Sequence, residues 1–119
     1  MKIAAIIEAR MTSSRLPGKV LKTVMGKPML EYLIERLKLV DSLDEIIIAT
    51  TTNTEDDKIQ KFAEEKNILV HRGSEFNVMK RVLEGAKKYK VDIVVKITGD
   101  CPIIDPNIVE QCIRIFEKN

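Results

Sequence analysis

Four short apolar runs, each followed by a longer stretch with helical spacing, most constrain the fold of this chain. The runs cover residues 3–7, 46–50, 68–71 and 93–97 and are rich in β-branched residues. Near-continuous apolar character over so few residues is typical of strands covered on both faces. The alternation predicts the order βαβαβαβα and a three-layer αβα architecture, with a mainly parallel sheet between two helical layers.

Four helices are predicted to follow these strands. Pro28 suits the first turn of the first helix, and Thr54-Glu55-Asp56-Asp57 resembles a capping box at the start of the second. A third helix is predicted from Val78 to Ala86, and Asp105-Pro106 begins a fourth. Sulfur-containing side chains on the apolar faces of these helices are expected to pack in the core: Met29, Met79 and Cys112.

Right-handed crossovers in such a chain commonly give the strand order 3-2-1-4. The first and fourth strands are then neighbours whose connections leave toward opposite faces of the sheet. Ligands of open α/β sheets bind in the crevice that opens there, beyond the carboxyl ends of the strands. We therefore expect the functional site at the ends of strands one and four.

Composition limits the classes of function. The 119 residues form at most one domain, 45% of them are apolar, and the formal net charge is only +2. We expect no nucleic-acid surface and no membrane segment, and we interpret the protein as cytoplasmic. Two cysteines eleven residues apart and a single histidine, His71, make a structural zinc site or a disulfide framework improbable.

A cluster of cations follows the first strand. Arg10, Arg15 and Lys19 lie in one loop with small hydroxyl residues and a Pro-Gly turn. The guanidinium groups of arginine, the ammonium group of lysine and free backbone N–H groups are suited to binding a polyphosphate. Asp100, in the loop after strand four, is suited to Mg²⁺ shared with substrate phosphates. The alternative is that the cations are solvated and Asp100 merely caps a turn.

Two common phosphate motifs are absent. A P-loop requires glycine where Ser13 stands and serine or threonine where Val20 stands, and no GxGxxG pattern occurs. A P-loop nucleotidase and a dinucleotide-binding enzyme are therefore not indicated.

The motifs resemble those of a known family. The run ARMTSSRLPGKVLK is followed by GKPMLEYLIERL, ATTTNTEDD, RGSEFNVMKR and ITGDCPIIDP. Together they look like the nucleotidyltransferases related to spore coat polysaccharide biosynthesis protein F. These are similar in turn to the cytidylyltransferases that activate sugar acids. The resemblance implies a nucleotide-diphospho-sugar transferase fold, a Rossmann-like arrangement, of which residues 1–119 would be a single nucleotide-binding N-terminal portion.

The resemblance also implies a reaction. An acceptor oxygen of a sugar or sugar acid attacks the α-phosphate of CTP, and pyrophosphate leaves. The resemblance assigns triphosphate binding to Arg10, Arg15 and Lys19 and the Mg²⁺ ion to Asp100, so that Arg15, Lys19 and Asp100 are the expected catalytic residues. Such chemistry requires mainly positioning and charge stabilisation.

By similarity, the nucleotide is expected to be held by the first loop and by the ends of strands two, three and four. Arg72 could instead be a surface charge beside Gly73, and Glu55, Asp56 and Asp57 are explained by the helix macrodipole without a metal. The full expected nucleotide-binding set is Ala9, Arg10, Ser14, Arg15, Lys19, Thr50, Thr51, Arg72 and Gly99.

The sequence departs from the family pattern in two respects. Glu8 stands where many relatives carry glutamine or proline, which leaves the base preference open. The chain also ends at about half the usual length, so strand four is expected to be an exposed edge and the protein a homo-oligomer.

Two other functions remain open. A non-catalytic nucleotide-binding module would keep the phosphate loop without turnover. An enzyme that uses GTP or UTP is disfavoured because Ser13 and Ser14 replace the expected glycines.

Overall fold

Strands and helices alternate along residues 1–12, 17–99 and 104–118, the ranges that the computed structural model describes. Two short 3₁₀ turns, Lys19–Leu21 and Thr54–Asp56, lie between them. In chain order the elements are β1 (Ile3–Glu8), β2 (Thr23–Val24), β3 (Lys27–Pro28), α1 (Met29–Leu37), β4 (Glu45–Thr51), α2 (Asp57–Glu65), β5 (Leu69–Gly73), α3 (Val78–Lys88), β6 (Ile93–Thr98) and α4 (Pro106–Lys118).

The main sheet has four parallel strands in the order β5-β4-β1-β6, which confirms the order 3-2-1-4 predicted from the sequence. β1 lies between β4 and β6. Glu8 is the last paired residue of β1 on both sides, opposite Ala49 on β4 and Thr98 on β6. β1 and β6 therefore end at the same level, where the loops that follow them begin, and β4 continues to Thr51.

Each face of the sheet packs against helices. On β1, Ala5 and Ile7 contact the apolar sides of α1 and α2, whereas Ala4 and Ile6 contact α3. α4 packs through Val109 and Ile113 on the same side as α1 and α2. The result is the three-layer αβα architecture predicted from the alternating apolar runs. Within the described ranges, no helix combines the length and apolar character needed to cross a bilayer.

The sequence analysis assigned too many residues of two helices to the core. Met79 is 55% exposed and Cys112 is also exposed, so the prediction that both pack in the core was wrong; Met29 is half-buried. On α3, it is Val82 and Ala86 that face the sheet. A helical spacing identifies an apolar stripe, but the width of the sheet beneath decides how much of the stripe is covered.

A small antiparallel hairpin, β2 with β3, was not predicted. Thr23 pairs with Pro28 and Val24 with Lys27. The two residues between them, Met25 and Gly26, both have positive φ angles, 53° and 86°. Two consecutive positive φ values define the turn that asparagine-glycine normally forms, and methionine gives no such signal in the sequence.

We expect Met25→Asn to stabilise the folded chain by about 0.5–1 kcal/mol, because asparagine tolerates the left-handed conformation better than methionine. Met25 is 94% exposed, so the substitution removes no packing. Urea denaturation measures the free energy of unfolding. Gly26→Ala is the opposing control and should destabilise; a loss of stability in Met25→Asn would contradict the assignment of this turn.

A broad apolar surface remains exposed on α4. Ile108, Ile115 and Phe116 are 58%, 62% and 63% exposed, and β6 is the edge strand beside this helix. An edge strand next to an apolar surface is a site of association with another polypeptide segment. This agrees with the expectation of an exposed fourth strand.

We predict that the chain self-associates through this face of α4, and that Phe116→Ser weakens association about tenfold or more, because a buried phenylalanine contributes about 1.5–3 kcal/mol. Sedimentation velocity over a range of concentrations measures the effect. Phe76→Ser is the matched control, since Phe76 is 91% exposed and precedes α3 on the opposite side of the sheet. A wild-type chain that stays monomeric at high concentration would refute the prediction.

Candidate functional site

The loop that follows β1 is closed at its base by the backbone. The Gly18 N–H donates to the Met11 carbonyl at 2.7 Å, and Gly18 adopts φ 75°, a left-handed conformation that favours glycine. The Ala9 N–H donates to the Ala49 carbonyl at 3.2 Å, and Ala9 is buried. Ser14 and Arg15, which belong to the predicted site, lie outside the described residues.

Asp56 fixes the entry to this loop. Its carboxylate accepts a hydrogen bond from the Met11 N–H at 2.7 Å and another from the Thr51 hydroxyl, and the residue is fully buried. The sequence analysis attributed Asp56 to a helix macrodipole and a capping box. No side-chain capping bond is present at the start of α2, so the capping box was wrong. Asp56 instead joins β4 to the predicted phosphate loop.

Lys19 lies where the loop returns to the core. It begins the 3₁₀ turn Lys19–Leu21, and the next residue, Val20, is buried in the core formed by α1, α2 and the sheet. The turn thus anchors the backbone of Lys19 while its side chain stays half-exposed. The predicted contact of Lys19 with a triphosphate stays a prediction.

The loops after β1 and β6 touch each other at Gly99. The Gly99 N–H donates to the Glu8 carbonyl at 2.8 Å, and a Cβ atom at this position would lie 2.9 Å from the same oxygen. Such a distance excludes any larger residue without a backbone shift. Asp100 follows directly in the sequence but lies outside the described residues. The two predicted loops are therefore neighbours at the point where they leave the sheet.

Thr50 and Thr51 are both fully buried. Thr51 uses its hydroxyl on Asp56, whereas the Thr50 hydroxyl has no hydrogen-bond partner within the part of the chain that is described. The structure therefore places both residues beneath the site. Their predicted contact with a nucleotide stays a prediction.

Arg72 is bound to its own chain. Its guanidinium donates to the carbonyls of Thr51 and Asn53, each at 2.7 Å. It also donates to the Asp57 carboxylate at 2.7 Å and to the Gln60 side chain at 2.8 Å. These bonds join β5 to the connection between β4 and α2. Arg72 thus has a structural role that neither the nucleotide prediction nor the surface-charge alternative anticipated.

A second set of charges lies on the side of the sheet that α3 covers, and the sequence analysis did not find it as a group. Glu8 Oε2 lies 3.3 Å from Lys96 Nζ, and Arg10 Nη1 lies 3.9 Å from Glu75 Oε1. The side chains are between about a quarter and two fifths exposed, so they are partly open to solvent. Alternation along β1 and β6 would have predicted that Glu8 and Lys96 share a face.

Arg81 lies buried beside this second set of charges. It is 1% exposed and donates to the carbonyls of Ala49 at 3.3 Å and Ser74 at 2.9 Å. Burial lowers the pKa of the Arg81 guanidinium, and the charges of Glu8 and Asp56 oppose that shift while Arg10 adds to it. Arg81 therefore ties the end of β4 to the loop that follows β5.

No group of three histidine, cysteine, aspartate or glutamate side chains that could hold a metal ion occurs within residues 1–12, 17–99 and 104–118. The predicted magnesium ligand, Asp100, lies outside these ranges. A single carboxylate completed by substrate phosphates is a donor set that Mg²⁺ accepts, so the sequence of this loop fits the ion.

The sequence of the chain matches that of a known family over nearly its whole length. The Cytidylyltransferase family profile matches residues 4–119. The chain belongs to this family. Members of the cytidylyltransferase family are enzymes. The matched residues include the loop after β1 and the loop after β6.

Individual proteins that are similar to this chain agree with the family match. The spore coat polysaccharide biosynthesis protein SpsF of Bacillus subtilis is 33% identical over 116 residues, which is 94% of this chain and 48% of that protein. The structure of a cytidylyltransferase from Leptospira borgpetersenii is 38% identical, with a TM-score of 0.94 over 100% of this chain and 50% of that one. The chain spans about half the length of the curated relatives it matches.

A second similar structure contains a nucleotide. A CMP:2-keto-3-deoxy-manno-octonic acid synthetase complexed with CTP is 30% identical to this chain. Its TM-score is 0.83, over 100% of this chain and 48% of that one. The four-stranded sheet and its helices are thus the nucleotidyltransferase fold that the sequence motifs implied.

We expect Asp56→Ala to lower the free energy of unfolding by about 2–4 kcal/mol, because it leaves the buried donors of Met11 and Thr51 without an acceptor. Chemical denaturation measures this loss. Glu55→Ala is the matched control: Glu55 precedes Asp56 but is exposed, so its removal should change stability by no more than about 0.5 kcal/mol. Equal effects of the two substitutions would show that Asp56 does not anchor the loop.

Proposed function

We propose that this chain binds CTP and, as part of a cytidylyltransferase, transfers CMP to a sugar or sugar acid used in polysaccharide assembly. One observation carries the proposal: the loop after β1, with Arg10 and Lys19, adjoins the loop after β6 at Gly99 in a member of this family. The names of two relatives support the substrate class, since one acts in spore coat polysaccharide biosynthesis and the other is a CMP-sugar-acid synthetase.

In the proposed reaction, an acceptor hydroxyl oxygen forms a bond to the α-phosphorus of CTP and loses its proton to water. The bond from that phosphorus to the bridging oxygen breaks, and pyrophosphate leaves with the electron pair. Arg10, Arg15 and Lys19 would neutralise the charge that develops on the pyrophosphate. Bound with Asp100 as its ligand, Mg²⁺ would supply further neutralisation at the α-phosphate.

The anchoring of the loop fits this role. Because the Met11–Asp56 and Gly18–Met11 hydrogen bonds fix the backbone at Met11 and Gly18, Lys19, which directly follows Gly18, needs little reorganisation to meet a triphosphate. A site whose cations are held in place before binding stabilises charge more effectively than flexible surface lysines. The half-exposed Lys19, anchored through the buried Val20, is the described residue that best meets this condition.

We expect CTP to stabilise the chain more than UTP, GTP or ATP in a thermal-shift titration, by about 2.7 kcal/mol at one hundred times its dissociation constant. Lys19→Met and Arg15→Ala should weaken CTP binding by about tenfold or more, since a hydrogen bond to a charged group contributes about 1.5–3 kcal/mol. Lys22→Met is the matched control, because Lys22 is exposed and lies only three residues further along. If Lys22→Met weakened CTP binding equally, the effect would come from the loss of positive charge in general and not from a contact between Lys19 and CTP.

A measurement of turnover distinguishes the proposed enzyme from the alternative, a non-catalytic nucleotide-binding module. Pyrophosphate release in the presence of CTP, Mg²⁺ and a panel of sugar acids supports the enzyme. CTP binding without pyrophosphate release for any acceptor supports the module. No stabilisation by any of the four nucleotides would overturn both functions.

A further inference from the structure

We infer that Glu8, held by Lys96, binds the ribose hydroxyls of the nucleotide. The inference rests on the proposed function and names a residue for which the family resemblance gives no role. It starts from the ion pair between Glu8 Oε2 and Lys96 Nζ, 3.3 Å apart, which joins the last residue of β1 to a residue two positions before the end of β6.

The position of the pair follows from the strand order. Glu8 ends β1, and Lys96 lies opposite Ile6, so both side chains extend from the sheet face that α3 covers. α3 packs on β5, β4 and β1, and β6 lies beyond it at the edge of the sheet. The Glu8 and Lys96 side chains accordingly keep 25% and 41% of their surface exposed. The carboxylate is thus partly exposed to solvent beside the end of β1, where a ligand can reach it.

A nucleotide in this crevice would place its ribose over β1. We place the base at the ends of β4 and β5, where the expected nucleotide-binding residues Thr50 and Arg72 pair, because the proposed magnesium loop, which would meet the α-phosphate, follows β6. Neighbouring strands are about 4.8 Å apart, so a nucleoside monophosphate spans roughly two strand spacings. The ribose lies between base and phosphate in every nucleotide, and β1 is the strand between those two ends.

The chemistry of the pair fits a sugar hydroxyl. A carboxylate at the end of a strand accepts hydrogen bonds from ribose hydroxyls in dinucleotide-binding folds, and such charge-assisted bonds are strong. A carboxylate beside a triphosphate would also repel it. Lys96 offsets that repulsion and orients the carboxylate, so the two residues act as a unit in which Lys96 is the positioning residue.

The test compares the affinity for CTP with that for 2′-deoxy-CTP and 3′-deoxy-CTP by isothermal titration calorimetry. The wild-type chain should bind CTP about tenfold more tightly than at least one of the two analogues, as expected for one lost hydrogen bond to a charged group. Glu8→Ala should reduce this ratio to within about twofold of one. Lys96→Met should reduce it as well, and Lys96→Arg should restore it.

The control is a second exposed ion pair, Lys27–Glu35, with a distance of 2.8 Å. Glu35→Gln should leave both the affinity for CTP and the ratio unchanged. Thermal denaturation without nucleotide confirms that each variant is folded. CTP binding with the same ratio in wild type and Glu8→Ala would overturn this inference alone. No CTP binding by the wild-type chain would overturn the proposed function and this inference with it.

Discussion

The pairing of β1 with β4 on one side and β6 on the other is the constraint on which the rest of the structure depends. It buries five consecutive residues of β1 and brings the loops after β1 and β6 into contact at Gly99, which donates to the Glu8 carbonyl. Because consecutive strands and helices must cross over in the right-handed sense, this pairing also assigns α3 to one face and the other helices to the opposite face. The crevice is therefore a consequence of topology, and the residues at the strand ends determine what it can bind.

Much of this arrangement could be predicted from the sequence. Continuous apolar runs such as Ile3–Ile7 require cover on both faces, and that requirement leads to the parallel sheet and its order. The hairpin could not be predicted, because Met25 in a left-handed conformation contradicts its local preference and persists only through the flanking pairs. The exposure of Met79 could not be predicted either, since it depends on how far α3 extends beyond the residues it covers.

The candidate site, like the fold, could be predicted from the sequence only in part. Cations and a carboxylate in loops after strands indicate phosphate chemistry because their side chains suit it, and the observed strand order makes the two loops neighbours at Gly99. The residues that hold the site were missed because their partners are distant in sequence. Asp56 reaches Met11 across 45 positions, and Arg72 reaches Thr51 across 21. The sequence does not show whether an acidic residue is buried or whether an arginine is bound to its own chain. Only the tertiary structure distinguishes these cases.

The balance of charge around β1 explains how a nearly neutral protein could bind a triphosphate. On the α3 side, Glu8 and Glu75 offset Lys96 and Arg10, and Arg81 is buried below them with carbonyl partners. By contrast, no acidic residue lies between Arg10 and Lys19 in the sequence, so Arg15 and Lys19 have no acidic neighbour within the loop. The attraction for phosphate is therefore concentrated in one loop, while the neighbouring surface stays balanced. Such a distribution favours a ligand with charge at one end and a neutral, hydroxyl-bearing portion at the other, which is the structure of a nucleoside triphosphate.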